Sequence, residues 1–497
     1  MYESKTLLSA FRIFVCPKPG PVTMKKTYIL ALCLLILSAC AKKNDPHFDP
    51  NHPAPPPNEQ TDGTLTLDIN HPANAIPQNF EGLSFENWIL SRNPEYLDPN
   101  NPAMLQLIKN LGPGVIRMGG NSSDETDWTG NGFNADTHFD VLTTAGIDRL
   151  ADFSRKTNWQ VIFGLNLGHN NIDASKDETK YLYQQLGANL YALQIGNEPD
   201  YFRLGYRPQN YSEQEYQSEW NTNFAPIKTQ VPQVQFAGPD VSDNLGWAQT
   251  FATNNSKNIM LLDAHYYNDG PATAPYIDCQ TILSTDNTLI PYLQALDNAS
   301  KQAGLTYRIT ETNSIWGGGK QGVSDAFAGT LWALDLMWSI AANNGQGINF
   351  HGGELVYSPI TVTSNGQCTA NAVYYAMLAF KYGASGGTVI PVNIANNSSN
   401  YNAYACSTNE GYTMTIINKE QKKDISLTVN AGKNVASINV MRLTAPAVNS
   451  TTGITFAGAA VQSDGSFSPA NQEESQIGKS SFIIKVPAAS AAVITIK

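Results

Sequence analysis

Short apolar runs alternate with longer stretches of helical character between residues 80 and 384, and this alternation constrains the fold more than any other feature of the sequence. The runs are EGLSFE (81–86), GVIRM (114–118), WQVIFGLN (159–166), ALQIGNE (192–198), VQFAGPD (234–240), MLLDAHYY (260–267), YRITETN (307–313) and GINFHG (347–352). Continuous apolar strands need a sheet that is covered on both faces. No glycine-rich phosphate loop follows the first run, which disfavours a doubly wound sheet. The pattern therefore predicts an α/β fold with a (β/α)8 barrel over residues 80–384.

The pattern changes after residue 385, where polar and apolar residues alternate and the turns are rich in Asn, Ser and Gly. The alternating segments are YTMTIINK (412–419), DISLTVN (424–430), SINVMRL (437–443), SFIIKVP (481–487) and AAVITIK (491–497). They predict an all-β sandwich over residues 385–497. The segment TLTLDIN (64–70) alternates in the same way, so we expect residues 63–79 to supply an N-terminal strand to this sandwich.

The N-terminus has the features of a signal peptide. Lys25 and Lys26 precede an apolar run over residues 28–37, which is too short to cross a bilayer comfortably. The run ends in Leu-Ser-Ala-Cys at Cys40, which resembles a bacterial lipobox and implies lipidation of that cysteine. Residues 1–40 are thus interpreted as an upstream segment and a lipoprotein signal peptide.

Residues 41–62 follow this cysteine and are rich in Pro, Asn and Asp. Such a composition cannot form a packed element and predicts a flexible tether. The expected product is an exported bacterial lipoprotein, periplasmic or at the cell surface, that meets the membrane only through its N-terminal lipid anchor.

The net charge bears on nucleic-acid binding, and the cysteines bear on metal binding and disulfide formation. The net charge of −11 and the pI near 5.1 disfavour nucleic acid, which needs clustered Lys and Arg. Three of the six cysteines, Cys279, Cys368 and Cys406, lie beyond the signal region and have no metal-site spacing. The sequence permits one disulfide among these three, or three thiols.

Two glutamates each stand where an apolar barrel strand ends. Glu198 follows the strand LQIG within Asn197-Glu198-Pro199, and Glu311 follows YRIT. Barrel enzymes carry their reactive groups at this end of the strands. Retaining glycoside hydrolysis needs two carboxylates about 5 to 5.5 Å apart, and an amide such as that of Asn197 can hold the sugar 2-hydroxyl. We therefore predict Glu198 as general acid/base, with its pKa raised by burial and by the charge of Glu311, and Glu311 as nucleophile.

Several longer motifs resemble glycoside hydrolase family 79, the clan A family that contains heparanase and bacterial β-glucuronidases. They are GLSFEN, VIRMGGNSSDETDW, ALQIGNEPDYF, FAGPDVSDN, LLDAHYYNDG and ITETNSIWGGGKQGVSDAFAGTLWALD, in order between residues 82 and 380. The resemblance implies the same roles for Glu198 and Glu311. It also implies a retaining β-glucuronidase, or a related uronidase, that acts on a carbohydrate without a metal or an organic cofactor.

The resemblance assigns substrate contacts to further positions. Glu86 and Asn121 fall where the family holds sugar hydroxyls. Tyr267 matches a tyrosine beside the nucleophile, so we expect it to orient Glu311 or to keep it ionised.

The segment after the nucleophile is implied to receive the carboxylate of the substrate. Gly317 and Gly318 match glycines whose N–H groups bind this carboxylate, and Tyr357 matches a tyrosine that donates to it. Glycine suits a backbone that must approach a ligand closely. Trp316 departs from the family, which usually has tyrosine there, so a hydroxyl donor is lost. Either an indole N–H substitutes for it, or the pocket is shifted toward another sugar or a methylated uronate.

Three basic residues near these motifs are interpreted as structural. We expect His265 to be a satisfied buried histidine, Arg117 to be a buried cation beneath Glu311, and Lys320 to be a solvated loop charge. Recognition of a carboxylate would then depend on neutral donors.

Two other functions remain open at the level of sequence. Trp316 is compatible with a clan A retaining glycosidase for a neutral sugar such as a galactoside, xyloside or arabinoside. A noncatalytic carbohydrate-binding lipoprotein would need no carboxylate pair, and the presence of both Glu198 and Glu311 disfavours it.

Overall fold

The computed structural model describes residues 61–134, 140–384, 386–409 and 411–497. In chain order the strands are β1 (Gly63–Leu67), β2 (Gly82–Glu86), β3 (Val115–Gly119), β4 (Asp127–Trp128), β5 (Val141–Leu142), β6 (Gln160–Leu165), β7 (Leu190–Ile195), β8 (Ala237–Val241), β9 (Leu261–Asp269), β10 (Thr306–Ile315), β11 (Ile348–His351), β12 (Ile360–Val362), β13 (Cys368–Ala370), β14 (Thr388–Ile390), β15 (Val392–Ala395), β16 (Tyr401–Thr408), β17 (Gly411–Asn418), β18 (Ile425–Thr444), β19 (Thr455–Phe456), β20 (Glu473–Val486) and β21 (Ser490–Ile496). The α-helices are α1 (Ile89–Arg92), α2 (Pro102–Leu111), α3 (Thr144–Thr157), α4 (Ile172–Leu186), α5 (Glu213–Gln230), α6 (Leu245–Asn255), α7 (Cys279–Leu283), α8 (Leu289–Ala303), α9 (Phe327–Ala342) and α10 (Ala372–Ala384).

Each of the predicted barrel runs forms a strand of one parallel sheet. The strand order is β7-β6-β3-β2-β11-β10-β9-β8, and a parallel bridge between Leu193 and Phe236 joins the two ends of the sheet. The closed sheet is the predicted (β/α)8 barrel. Because all its strands run the same way, their C-terminal ends meet at one mouth.

The sandwich strands form a second sheet in the order β14-β16-β17-β21-β18-β1-β15, and β19 and β20 also pair with β18. The N-terminal strand β1 lies inside this sheet, parallel to β18 and antiparallel to β15, as the fold prediction required. The predicted strands 424–430 and 437–443 are one continuous strand, so their separation was wrong. Strand β18 pairs with β1 through its first half and with β21 through its second half, and its register to β20 shifts between Asn430 and Ser437.

Helix α9 is buried on nearly every side because it lies between the barrel and the sandwich. Trp338 of this helix stacks on Tyr404 of β16 with ring centroids 5.6 Å apart. Asp335 of the same helix accepts hydrogen bonds from Asn402 and Tyr404, and it pairs with Lys419 at 3.0 Å. The helix that follows β10 in the chain thus also connects the barrel to the sandwich.

The structure answers the question about the three cysteines, but the predicted lipid anchor lies outside the described residues. Cys279, Cys368 and Cys406 are free thiols, so no disulfide joins these three described residues. No helix in the described ranges is long and apolar enough to span a membrane. The lipobox and Cys40 lie outside the described residues.

A fully buried arginine, Arg308, connects strands at the N-terminal end of the barrel. It donates to Asn349 Oδ1 at 2.7 Å and to the carbonyl oxygens of Phe80 and Ile348 at 3.1 Å each. Burial lowers the pKa of Arg308 to about 10, which still leaves the side chain charged at neutral pH. Its buried charge is therefore stabilised by hydrogen bonds to β11 and to Phe80, two residues before β2.

We expect Arg308→Met to lower the free energy of unfolding by about 2 to 4 kcal/mol, because several buried acceptors lose their donor. Urea denaturation followed by circular dichroism measures this change. Arg155→Met removes an exposed arginine from α3 and should change stability by less than about 0.5 kcal/mol. Equal effects of the two substitutions would contradict a special role for Arg308.

Candidate active site

Glu198 and Glu311 meet at the mouth of the barrel. Glu198 lies three residues beyond the end of β7, and Glu311 lies within β10, which continues past it to Ile315. The register of β10 against both neighbours shifts after Ile309, and such a bulge can re-aim a side chain beside an active site. One oxygen of each glutamate and one ring nitrogen of His265 all lie within 4.8 Å of one another. This separation suits a retaining pair, at about 5 to 5.5 Å, and not an inverting pair, at about 6.5 to 9.5 Å.

The carboxylate of Glu311 is held by a cation and a hydroxyl. Arg117, which is fully buried, donates from Nη1 to Oε2 at 2.8 Å, and Tyr267 donates its hydroxyl proton to Oε1 at 2.8 Å. Burial alone would raise the pKa of Glu311, but the charges of His351, His265 and Arg117 and the bond from Tyr267 outweigh it and lower the pKa well below its usual range. Glu311 is therefore ionised at neutral pH, as a nucleophile must be.

Glu198 has a different environment. Its side chain is 18% exposed against 9% for Glu311, and its Oε1 lies 2.9 Å from His265 Nδ1. Its backbone is left-handed, with φ at 49°, and its N–H donates to the carbonyl of Asp240 at 2.9 Å. Non-glycine residues rarely take this conformation, and those that do cluster at functional sites. The more exposed glutamate thus faces the cleft in a fixed, strained turn.

His265 is buried and contacts a carboxylate through each ring nitrogen. Its Nε2 lies 3.0 Å from Asp240 Oδ1, opposite the contact to Glu198. Burial would lower the pKa of His265, but the negative charges of Asp240 and Glu311 raise it well above its usual value. The ring is therefore a charged imidazolium that donates from both nitrogens. The sequence analysis predicted a buried histidine whose hydrogen bonds are satisfied, but it did not predict the contact with Glu198.

Three polar side chains are predicted to touch the sugar, and one of them, Asn197, contacts Arg117. Asn197 accepts from Arg117 Nη2 at 2.7 Å and donates to Asn121 Oδ1 at 3.2 Å. Glu86 accepts from the N–H of Ser122 at 2.8 Å, at the start of the 3-10 helix after β3. Glu86 therefore caps this helix, while its half-buried side chain remains at the mouth.

The glycine segment after the nucleophile strand has a conformation that only glycine adopts easily. Gly317, Gly318 and Gly319 have φ values of 85°, 92° and 86°. Among the described residues, no acceptor is found for the N–H groups of Gly317 and Gly318, whereas Gly319 donates to the carbonyl of Ile315 at 3.2 Å. Two neighbouring backbone donors are thus available at this loop.

Tyr357 links this segment to the nucleophile. Its hydroxyl lies 3.5 Å from that of Tyr267, and a Cβ atom added to Gly319 would come within 2.9 Å of the Tyr357 backbone nitrogen. Tyr357, one of the predicted carboxylate donors, is therefore connected to Glu311 through Tyr267.

Trp316 and Lys320 flank the segment. Trp316 is 49% exposed, and its indole lies against Gly270, where an added Cβ atom would come within 2.3 Å of the ring. Lys320 donates from Nζ to the carbonyl of Ala274 at 2.5 Å, so this lysine holds two loops together and is not a free solvated charge.

Sequence reasoning missed three acidic or basic side chains of the site, namely Asp124, Asp240 and His351. Asp124 accepts from the N–H of Asn197 at 2.8 Å, and burial raises its pKa to about 7. The charge of Glu311 raises the pKa of His351, although burial opposes the increase. Asp240 ends an apolar strand just as the two glutamates do, so the same strand-end criterion could have found it.

The ligand atoms of Glu198, His265 and Glu311 are close enough to surround a metal ion. However, Arg117 and the imidazolium of His265 already contact these carboxylates and balance their charge. A further cation would therefore meet repulsion from both groups.

Known proteins resemble this chain in its C-terminal domain and over much of its length. Residues 393–493 match the family model of the glycosyl hydrolase family 79 C-terminal beta domain. A β-glucuronidase of Aspergillus niger is 26% identical over 418 residues, which cover 69% of this chain and 74% of that protein. A β-glucuronidase of Neurospora crassa is 25% identical over 376 residues, which cover 63% and 65%.

Solved structures share the fold. A 4-O-α-L-rhamnosyl-β-D-glucuronidase from Fusarium oxysporum aligns with a TM-score of 0.69 at 17% identity, over 86% of this chain and 100% of that one. A GH51 arabinofuranosidase from Xanthomonas axonopodis pv. citri aligns with a TM-score of 0.65 at 14% identity, over 88% and 100%. These structures show the fold, and the β-glucuronidase relatives together with the carboxylate pair at the barrel mouth define the chain as a glycoside hydrolase. The match of the C-terminal domain and the named relatives support the resemblance to family 79.

We expect Tyr267→Phe to lower kcat by roughly 10- to 100-fold, the effect of losing a hydrogen bond to a charged group. The substitution also raises the pKa of Glu311, which must be ionised to attack, so activity should be lost at a higher pH on the acidic side. A pH profile of kcat/KM measures both effects. Tyr404→Phe, at the contact between barrel and sandwich, should leave this profile unchanged, and an unshifted acidic limb in Tyr267→Phe would contradict the assignment.

Proposed function

We propose that the protein is a retaining glycoside hydrolase that cleaves β-glucuronides or closely related uronides by double displacement. The observation that carries this proposal is the pair of glutamates within 4.8 Å, in unlike environments. Glu311 is ionised against Arg117 and Tyr267, whereas Glu198 faces the cleft. This difference suits a nucleophile and an acid/base respectively.

In the first step, Glu311 attacks the anomeric carbon and forms a glycosyl ester. The bond from this carbon to the leaving oxygen breaks, and Glu198 gives its proton to that oxygen. Glu198 is then a carboxylate, and the imidazolium of His265 stabilises the new charge through its hydrogen bond to Oε1.

In the second step, a water molecule attacks the same carbon. Glu198 takes a proton from this water, the ester bond to Glu311 breaks, and the sugar leaves with its original anomeric configuration. The restored Glu311 carboxylate again accepts hydrogen bonds from Arg117 and Tyr267.

Recognition of a uronate is assigned to neutral donors. Two observations support this assignment: the N–H groups of Gly317 and Gly318 have no acceptor among the described residues, and the hydroxyl of Tyr357 lies 3.5 Å from that of Tyr267, which contacts Glu311. The names of the Aspergillus niger and Neurospora crassa relatives support this substrate class. A neutral sugar is the second candidate, because Trp316 carries no hydroxyl and is half exposed.

We expect the chain from residue 63 onward to hydrolyse nitrophenyl β-glucuronide, and Glu311→Ala to abolish this activity. Tyr357→Phe should raise KM for the glucuronide by about 10-fold, through loss of a hydrogen bond to a charged group, with little effect on any residual glucoside hydrolysis. Tyr401→Phe in the sandwich is the matched control. Cleavage of only neutral glycosides would keep the mechanism and reject the uronide.

We further propose that the protein is exported as a bacterial lipoprotein anchored through Cys40. The apolar run and the Leu-Ser-Ala-Cys sequence support this location. In a bacterial host, labelled palmitate should be incorporated into the wild-type chain but not into Cys40→Ala, whose signal peptide should also be retained. Cys33→Ala is the control within the apolar run, and equal labelling of Cys40→Ala would reject the anchor.

A further inference from the structure

Asp240, at the end of β8, is joined to Glu198 through the backbone. Both residues have left-handed backbones, with φ at 59° and 49°, and the N–H of Glu198 donates to the carbonyl of Asp240 at 2.9 Å. Two such non-glycine residues in direct contact store strain that the surrounding structure must hold. Strain of this kind at a reaction centre points to a functional constraint on Asp240.

The side chain of Asp240 is buried and accepts hydrogen bonds from several strands. Its Oδ1 accepts from His265 Nε2 at 3.0 Å, Gln194 Nε2 at 2.5 Å and Thr310 Oγ1 at 2.8 Å, and its Oδ2 accepts from Arg117 Nη2 at 2.5 Å. Burial would raise the pKa of Asp240, but Arg117 and His265 lower it below its usual value. The group is therefore a fully ionised carboxylate at the centre of the barrel.

The two cations that Asp240 binds reach different catalytic residues. His265 continues from Nδ1 to Glu198 Oε1 at 2.9 Å, and Arg117 continues from Nη1 to Glu311 Oε2 at 2.8 Å. We propose that Asp240 is a positioning residue that holds His265 and Arg117 in place and thereby fixes the spacing and orientation of Glu198 and Glu311. This inference rests on the two-glutamate mechanism proposed above.

The charge of Asp240 matters because His265 is buried. Without that charge, burial favours a neutral imidazole, which has one N–H donor and one acceptor nitrogen. A neutral ring cannot donate to Glu198 and to the side chain at position 240 at once. Glu198 would lose a fixed orientation, and its carboxylate would lose a charged donor after it gives up its proton.

Several further titratable groups face Asp240 and His265. They are Asp124, Tyr216, Asp263 and Glu311, together with Tyr292, whose hydroxyl donates to the carbonyl of His265 at 2.5 Å. Asp263 accepts from the N–H of Asp240 at 2.7 Å, and burial, together with the charge of Asp240, raises its pKa to about 8. Asp263 is therefore largely neutral near pH 7 and does not replace the charge of Asp240.

The test is Asp240→Asn in the otherwise unchanged chain, which keeps the shape of the side chain and removes its charge. We expect kcat to fall by about 100-fold, the size of effect that a misplaced catalytic group produces, with little change in KM. The alkaline limb of the kcat profile should also shift, because the charge on His265, which stabilises the carboxylate of Glu198, is lost at a lower pH. Unchanged kcat and an unchanged alkaline limb would overturn the proposal.

Asp335→Asn is the matched control, since it neutralises another carboxylate that pairs with a cation and accepts several hydrogen bonds. It should lower the unfolding temperature and leave the pH profile of kcat unchanged. If both variants lose only stability, Asp240 has a structural role alone and the proposal is wrong. If Asp240→Asn fails to fold, Thr310→Val removes one donor to Asp240 without changing a charge. This variant should lower kcat several-fold, and full activity would reject the proposal.

A second measurement needs no substrate and so separates this inference from the proposed substrate class. The ring nitrogen chemical shifts of labelled histidines, assigned with His265→Gln, report the protonation of His265. At pH 8 the ring should be doubly protonated in the wild type and singly protonated in Asp240→Asn. A neutral His265 in the wild type would overturn the proposal, whereas a wild type inactive on all uronides would reject only the substrate.

Discussion

The arrangement of the site depends on one guanidinium buried without solvent at the centre of the barrel. All three nitrogens of the Arg117 guanidinium donate hydrogen bonds. Nε donates to Gln194, Nη1 donates to Ser84 and Glu311, and Nη2 donates to Asn197 and Asp240. A buried charge is costly unless it is paired and fully hydrogen-bonded, and here the fold supplies both conditions. Because these acceptors come from several strands, the charge of Arg117 also specifies how the strand ends are arranged around the cleft.

This arrangement makes the two glutamates unequal. Glu311 contacts Arg117 and a tyrosine hydroxyl, both of which favour its ionised form, and it is the more buried of the pair. The carboxylate of Glu198 is hydrogen-bonded by His265, and Glu198 alternates between acid and base in the proposed cycle. A histidine that stays charged throughout this cycle provides a constant donor, so the protonation change is confined to Glu198 itself. The separation of roles therefore follows from which cation each carboxylate contacts.

The barrel and the glutamates could be predicted because their signals are local. Each strand is a continuous apolar run, and Glu198 and Glu311 follow directly in the sequence. The contacts between Arg117 and Asp240 could not be predicted, because they join residues that are 123 positions apart and exist only once the barrel closes. The continuity of β18 was missed for a related reason: its two halves pair with different strands, and the bend between them looks like a turn in the sequence. Local sequence patterns thus predict helices and strands, whereas the contacts among buried charges form only when the barrel closes.

The absence of a basic side chain among the proposed uronate donors has a physical rationale. A lysine or arginine in the cleft would compete for Glu311 as well as for the carboxylate of the substrate, and it would weaken the attack of the nucleophile. In this site the described cations beside Glu198 and Glu311, namely Arg117, His265 and His351, are buried, and Lys320 is held by a backbone carbonyl. Backbone N–H groups and hydroxyls bind an anion without carrying a charge of their own. Neutral donors at Gly317, Gly318 and Tyr357 can therefore select a uronate while Glu311 keeps the charge state that its chemistry requires.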